Sequence, residues 1–300
     1  MLGLSYIFLA CLCWALDTLF RYPLIQAGHS GLGIVFVEHA LLTTVFAYFL
    51  FKNWRKIASS RITDFFSFFM VGAIGSAFAT VAFTKAFQHL DPSLVILLQK
   101  LQPLVVVSLA RLLLAEKLQA KFFLWGALSL LGAILVSSSK VILALVSGKL
   151  EISNYLSSGS FLGYALVGIA ILGWGSATVF GKKLTLAGYQ EKEIMAGRFA
   201  LGFLVLLPLI NWQRSLGSLA GYDYLMIIAM VSLSAFLGMY LYYKGLMKVS
   251  ARMAAIAELF FPVCAVTVNW IFLGQALDWI QICGAALLIL GSTVIQLKRY

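Results

Sequence analysis

The decisive stretch of this sequence occurs twice, as KAFQHLDPSLVILLQKLQP at 85–103 and as KGLMKVSARMAAIAELFFP at 244–262. Each copy begins with lysine, continues through a mostly apolar run and ends with proline, and the two lie 159 residues apart. Four residues before its proline, the first copy carries Gln99 and the second carries Glu258. Because proline has no amide hydrogen for the carbonyl four residues earlier, a helix is interrupted beside each polar side chain. The stretch therefore predicts two copies of one interrupted helix.

The composition of the chain places these helices in a lipid bilayer. Of its 300 residues, 62% are hydrophobic and only 11% are charged, and the mean hydropathy is +0.98. Soluble domains are about 25% charged, and an apolar stretch of about 20 residues can cross a membrane as a helix. The ten predicted spans are 2–22, 31–51, 63–84, 93–113, 121–139, 161–181, 193–211, 222–243, 252–273 and 279–297. The sequence thus predicts an all-α integral membrane protein with ten transmembrane helices.

The basic residues indicate the orientation of these spans, although a net charge of +11 would also suit a nucleic-acid-binding protein. With the N-terminus inside, fifteen Lys and Arg residues fall in inside connections and five, among them Arg21, in outside connections. Cytoplasmic loops of membrane proteins carry an excess of basic residues. We therefore expect a multi-pass protein of the cell inner (plasma) membrane with both termini in the cytoplasm, and no nucleic-acid partner.

Further landmarks repeat at the same spacing as the opening stretch, or within one residue of it. They are LLGAILV (130–136) with ILGSTVI (289–295), His39 with Arg198, and WALDTLF (14–20) with WGSATVF (174–180). A gene duplication explains this constant offset. The alternative is that the few identities match by chance. The duplication predicts one five-helix repeat at 1–139, an extracytoplasmic linker at 140–160 that can hold a short interfacial helix, and a second repeat at 161–300.

Five helices is an odd number, so the two repeats should be inverted relative to each other in the membrane. Inverted repeats are the usual architecture of transporters that alternate access, with the substrate site near the midplane between the copies. The interrupted fourth and ninth helices are the predicted position of that site, since a carbonyl left without its donor is tolerated only beside protein or a wet cavity. The alternative is a simple kink with a buried, paired carboxylate.

On that hypothesis Pro103 and Pro262 are the helix kinks, and Gln99, Gln102 and Glu258 face the cavity. Charged residues at such depth are costly and mark a pathway or an ion pair. Five more ionisable groups lie within predicted spans: Asp17, Glu38, His39, Lys100 and Arg198.

Each of these five groups has a functional and a structural interpretation. Lys100 and Arg198 can neutralise Asp17, Glu38 or Glu258, which would make all of them a structural network. Asp17 can also reach interfacial water at the end of the first helix. His39 suits proton transfer, although a lone buried histidine is more often a packing residue.

The first helix of each repeat carries a tryptophan, Trp14 and Trp174, at equivalent positions. Both can wall a substrate cavity and stack on a planar or cationic ligand, and packing is the alternative. Gly132 and Gly291 suit close packing of helices. The sequence has no phosphate-binding loop, no zinc-protease motif and no nucleophile elbow, so we do not expect an enzyme.

Taken together, these landmarks resemble the drug/metabolite transporter (DMT) superfamily in its ten-helix EamA-type branch, over the whole chain. The residues that carry the resemblance are Trp14, Trp174, Arg198, Pro103, Pro262, LLLAEKL (112–118), Gly132 and Gly291. His39 stands where the family often has arginine, and Gln275 where it often has glutamate. The resemblance implies an inverted-repeat transporter of small metabolites without a cofactor. It leaves proton coupling open, because coupling is not uniform in this family.

From the residues and the resemblance together we expect a secondary transporter that moves an amino acid or a derivative by alternating access. Glu258 would bind a substrate amine or a proton, and Gln99 and Gln102 would add hydrogen bonds. One alternative is an organic-cation or drug exporter with Asp17, Glu38 and Glu258 as counter-charges. Another is an uptake carrier for a larger charged metabolite, such as S-adenosylmethionine or a nucleotide sugar. A channel or scaffold is a third. The partners expected are a small molecule and the lipid bilayer.

Overall fold

The computed structural model describes residues 2–53, 55–56, 61–114, 120–146, 158–246, 248, 257 and 260–298. These residues form ten main helices and two short helical segments, Leu207–Leu209 and Trp212–Leu216, and they include no β-strand. In chain order the helices are α1 (Leu2–Gln26), α2 (Gly31–Lys52), α3 (Ile62–Ala86), α4 (Pro92–Leu98, Gln99–Leu101 and Gln102–Leu114), α5 (Ala120–Val146), α6 (Ser158–Leu186), α7 (Glu191–Leu206), α8 (Gly221–Met230, Val231–Gly238 and Met239–Leu246), α9 (Phe260–Leu273) and α10 (Trp279–Lys298).

The expectation of an all-α membrane protein is confirmed. Seven of the helices, α1 to α6 and α8, are long and apolar enough to cross a bilayer, and α9 and α10 are shorter apolar helices. The predicted ends are less accurate, because α1 continues to Gln26 and α5 to Val146. Part of the linker predicted at 140–160 is therefore helical, and its residues 147–157 lie outside the described part of the chain. Glu258 also lies outside the described residues.

The helices of the two halves begin and break at related positions. Helices α2 and α3 begin at Gly31 and Ile62, and α7 and α8 begin at Glu191 and Gly221, so the offset stays within one residue of 159. Both α3 and α8 widen into a π-helical stretch near their middle, at Met70–Phe78 and Val231–Gly238. These coincidences favour a duplication. The division into 1–139, 140–160 and 161–300 stays a prediction.

The first helix of each half packs against helices of the other half, and the two sets of partners are equivalent. Helix α1 packs against α8 and α9, and its counterpart α6 packs against α3 and α4. Two further pairs join counterparts directly, α2 with α7 and α5 with α10. A two-fold relation in the membrane plane requires this pattern, since it maps each helix of one half onto a helix of the other.

The α5–α10 pair is held together by three glycines. A Cβ atom added at Gly132 would lie 2.5 Å from the Gly284 carbonyl oxygen, and one added at Gly284 would lie 2.8 Å from the Gly132 carbonyl oxygen. A Cβ at Gly291 would lie 2.6 Å from the carbonyl oxygen of Trp125. Small residues let helix backbones approach where lipid offers no hydrophobic driving force. The two backbones are therefore in direct contact along this pair.

Candidate substrate and coupling site

A buried guanidinium joins α1, α2 and α3. Arg21 is 5% exposed. Its Nε and Nη2 atoms donate to Asp17 Oδ2 at 2.7 Å and Oδ1 at 3.2 Å. Its Nη1 atom donates to Glu38 Oε2 and to Thr84 Oγ1, both at 3.1 Å. With both carboxylates ionised, this Arg21 cluster carries one net negative charge. A buried charge of this kind is costly unless it is paired and hydrogen-bonded, as both carboxylates here are.

The prediction that Arg21 lies in the connection after the first span is wrong. Helix α1 continues one full turn past Arg21, so the guanidinium lies inside the bundle instead of in water. Arg21 forms ion pairs with both Asp17 and Glu38, and the neutralising role expected of Lys100 and Arg198 stays a prediction. The spacing of Asp17 and Arg21 was the available signal, because residues four apart on a helix are neighbours.

The two carboxylates of the Arg21 cluster are bonded unequally. Asp17 accepts from two guanidinium nitrogens, and its Oδ1 also accepts from the Ser234 hydroxyl of α8 at 2.8 Å. Glu38 accepts only at Oε2, and no described residue donates to its Oε1. Glu38 is thus the carboxylate of the cluster that retains a lone-pair site for another partner.

His39 points away from Glu38, as their positions one residue apart on α2 require. It is 1% exposed, its Nδ1 lies 2.9 Å from the Val35 carbonyl oxygen, and its Nε2 lies 3.0 Å from Ser76 Oγ. A carbonyl can only accept, so Nδ1 carries the hydrogen; when the ring is neutral, Nε2 accepts from the Ser76 hydroxyl. Arg198 Nε donates to the same Ser76 oxygen at 3.1 Å. The repeat equivalents His39 and Arg198 thus meet at one hydroxyl of α3.

The two tryptophans are not brought together; each packs against aromatic rings of the opposite half. The Trp14 ring centroid lies 5.4 Å from that of Tyr242 and 6.3 Å from that of Phe261. Lys100 Nζ lies 4.9 Å from the Phe261 ring centroid. These four residues form the Trp14 cluster, which joins α1, α4, α8 and α9. A Cβ at Gly238 would lie 2.8 Å from Trp14 Nε1, so α8 leaves room for the indole.

The counterpart of this cluster contains fewer groups. Trp174 lies 4.9 Å from Phe83, centroid to centroid, and Phe83 occupies the position equivalent to Tyr242. The position equivalent to Phe261 is Gln102, which has no aromatic ring. The larger assembly of rings, together with a cation, therefore surrounds Trp14.

Helix α4 is interrupted where Pro103 predicted an interruption. The Gln99 carbonyl, however, is not left without a hydrogen-bond donor. Gln99–Leu101 form a 3₁₀ turn, and the Gln102 backbone N–H donates to the Gln99 carbonyl oxygen. Pro103 then occupies the second position of the next helical piece, where its missing amide hydrogen is tolerated. This corrects the expectation of an unsatisfied carbonyl. Gln99, Lys100 and Gln102 are half-buried, and Pro262 is buried within α9.

Comparison with known proteins identifies the family. A model described as the EamA-like transporter family matches residues 1–138 and again 161–297. The chain belongs to the EamA-like transporter family. The resemblance to the DMT superfamily is thereby confirmed, and the protein is a membrane transporter of a small molecule.

Two relatives of this EamA-like transporter cover almost all of it. One is the riboflavin transporter ImpX of Fusobacterium nucleatum subsp. nucleatum, which is 30% identical over 312 residues, covering 99% of this chain and 97% of that protein. The other is a protein solved by crystallography, with a TM-score of 0.61, 16% identity, and coverage of 99% of this chain and 97% of that chain. The second likeness concerns the fold alone.

Proposed function

We propose that this EamA-like transporter moves a planar heteroaromatic metabolite, with a flavin such as riboflavin as the first candidate. The observation that carries the proposal is the Trp14 cluster, in which three aromatic rings from α1, α8 and α9 converge beside one lysine. Aromatic rings attract other flat rings in stacked or edge-to-face contacts. A flavin offers a flat three-ring system and a hydroxylated chain, which the half-buried amides of Gln99 and Gln102 suit. The name of the relative supports the same cargo.

In this proposal the carrier lies in the cell inner membrane with both termini in the cytoplasm, as the basic loops predict. The repeats 1–139 and 161–300 rock against each other around the Trp14 cluster, so that the cargo meets one side at a time. The exchanged packing of α1 on α8 and of α6 on α3 supports a rocking motion of this kind.

We expect Trp14→Ala to lower flavin uptake about tenfold, because one aromatic contact contributes about 1.4 kcal/mol at the upper end of its usual range. The measurement is uptake of labelled riboflavin into proteoliposomes. Trp270→Ala is the matched control, since this tryptophan is 61% exposed on the outer surface of α9. Equal uptake by Trp14→Ala and wild type would contradict the placement of the cargo, and no uptake by wild type would contradict the flavin assignment.

An amino acid or derivative, the cargo favoured by the sequence, is the competing proposal. The Oε1 oxygen of Glu38 supports it, because a half-buried carboxylate oxygen that accepts no hydrogen bond from the described residues suits an ammonium group. Glu258, first in the predicted binding set, stays a prediction. Counterflow with liposomes preloaded with riboflavin, pooled amino acids, organic cations or nucleotide-like compounds separates these cargoes, since only the transported class makes labelled substrate accumulate.

We further propose that a proton accompanies the cargo and that Glu38 accepts it. Asp17 and Arg21 of α1 and Thr84 of α3 lie beside Glu38. Arg198 of α7 donates to the Ser76 hydroxyl, which also contacts His39, the residue after Glu38. A proton on Glu38 would cancel the net negative charge of the Arg21 cluster.

We expect an imposed inward proton gradient to stimulate uptake by wild type, while Glu38→Gln retains counterflow but does not respond to the gradient. The glutamine keeps the size of the side chain and an oxygen that accepts from Arg21. Glu38→Asp is the control that retains a titratable carboxyl. Stimulation of Glu38→Gln to the wild-type extent would exclude Glu38 as the proton acceptor.

A further inference from the structure

The first helix of each half ends in the same kind of turn. Gly28 after α1 and Gly188 after α6 have φ of 86° and 90°. The next residues, His29 and Tyr189, donate their backbone N–H to Leu24 and Leu184, five residues earlier. Glycine adopts positive φ without strain, so it closes a helix in this way and turns the following side chain outward. His29 and Tyr189 are placed by equivalent turns against the opposite half.

At the face of the bundle where α1 ends, His29 contacts the beginning of α8. Its Nε2 lies 3.3 Å from Asp223 Oδ2, and its Nδ1 lies 3.1 Å from Ser218 Oγ. The same Asp223 oxygen accepts the backbone N–H of Ala220 at 2.8 Å. The acceptor is therefore a helix-capping carboxylate whose position is set by its own helix. We name this contact the His29 latch.

At the face where α1 begins, Lys56 makes the corresponding contact. Its Nζ donates to Glu193 Oε2 at 2.6 Å and to the Gly188 carbonyl oxygen at 3.0 Å. It also lies 5.0 Å from the Tyr189 ring centroid. Glu193 Oε2 accepts the backbone N–H of Gln190 at 2.8 Å, so this carboxylate too caps its own helix, α7. We name this contact the Lys56 latch.

The two latches lie on opposite faces and both join the first half to the second. Lys56 follows α2, which runs antiparallel to α1, whereas His29 follows the end of α1. A carrier that alternates access must separate its halves at one face while they stay joined at the other. We propose that His29 and Lys56 are the gate residues of this transporter, each holding one face closed through a capping carboxylate of the opposite half.

This proposal rests on alternating access, which is part of the proposed function. Each latch is a small interaction compared with the helix packing around it, as a gate that opens in every cycle requires. A ligand or a mutation shifts a two-state equilibrium only by as much as its interaction free energy differs between the two states. Removing one latch should therefore favour the state that is open at that face and reduce the opposite one.

Sided labelling of a central cysteine tests the gate without any cargo. The reporter is Gln102→Cys on half-buried α4, in a background in which the four native cysteines are replaced by alanine. A membrane-impermeant maleimide is applied to sorted right-side-out and inside-out vesicles. The variants are His29→Gln and Lys56→Met, because both leave the capping carboxylates in place. Lys52→Met is the matched control, since Lys52 lies 5.7 Å from the ring of Tyr48 on its own helix.

We expect His29→Gln to raise labelling severalfold from the face where α1 ends and to lower it from the other face. Lys56→Met should do the reverse, and Lys52→Met should match the parent. Equal changes from both faces would indicate general loosening and would overturn the proposal, as would unchanged labelling. Flavin uptake is measured separately in protein with Gln102 intact, because Gln102 belongs to the proposed cargo site. Opposite labelling changes without flavin uptake would retain the gates and reject the cargo, whereas flavin uptake with symmetric labelling would retain the cargo and reject the gates.

Discussion

Replacing Arg21 with methionine should remove most of the folded protein. The change leaves the half-buried carboxylates of Asp17 and Glu38 without their shared, buried cation, and it leaves Thr84 without the guanidinium donor. Breaking a buried ion pair by removing one partner costs about 3–5 kcal/mol. This is a large fraction of the stability of a typical domain, about 5–15 kcal/mol. The measurement is the fraction of monodisperse protein that survives heating in detergent, followed by size-exclusion chromatography.

Two companion variants separate charge from packing at this position. Arg21→Lys retains the charge but cannot form the two-pronged contact with Asp17, so it should be intermediate. Adding Glu38→Gln to Arg21→Met removes one unpaired charge and should restore part of the lost stability. If Arg21→Met were as stable as wild type, the cluster would not be a buried, paired network, and its place in the proposed site would fail with it.

Gly132→Ala should destabilise the α5–α10 pair, although alanine is the better helix former. The helix preference of alanine over glycine is about 1 kcal/mol. Against it, the new Cβ would contact backbone atoms of Gly284 and Leu288, which cannot rotate away as a side chain can. Forcing extra atoms into a closely packed contact costs about 1–3 kcal/mol, and more where backbone must move. The net effect is a lower melting temperature in the same thermal assay.

Gly168→Ala is the control that separates the effect of the helix contact from the helix preference of alanine. Gly168 lies inside α6, and a Cβ added there meets no atom within 4 Å. Only the helix preference then acts, so the melting temperature should stay the same or rise slightly. A similar loss of stability in both variants would mean that the sensitivity belongs to glycine substitution in general and not to the α5–α10 contact.

The polar centre departs from the symmetry of the helices that hold it. Asp17 and Arg21 of α1 correspond to Ala177 and Gly181 of α6, and Glu38 corresponds to Gly197 of α7. Two of these three small residues serve packing, because Ala177 lies against Gly75 and Gly197 lies against Phe68. The first half therefore carries the charges of the Arg21 cluster, while two of the three equivalent positions in the second half bring helices together. Because of this asymmetry, the charged cluster occurs once, in the first half, and the three equivalent positions of the second half are uncharged.

The sequence by itself determined the class of protein and its family. Runs of apolar residues about as long as a bilayer is thick are a local property, so they predicted an all-α membrane protein without knowledge of any contact. The landmarks led by Trp14 and Trp174 pointed to the family because order and spacing are also read along the chain. The break in α4 was predicted from Pro103 for the same reason, since a proline acts on the carbonyl four residues away.

Only the tertiary structure decided which polar groups meet. Arg21 bonds Glu38 and Thr84, which are 17 and 63 residues distant, and Arg198 reaches Ser76 over 122 residues. The 3₁₀ turn supplies a hydrogen-bond donor to the Gln99 carbonyl. The proline alone does not determine that this turn forms. In an all-apolar environment nearly every face of a helix can be buried, so the hydrophobic pattern does not reveal which face meets which neighbour. The partners of the buried charges follow from helix packing, and packing is a property of the assembled bundle.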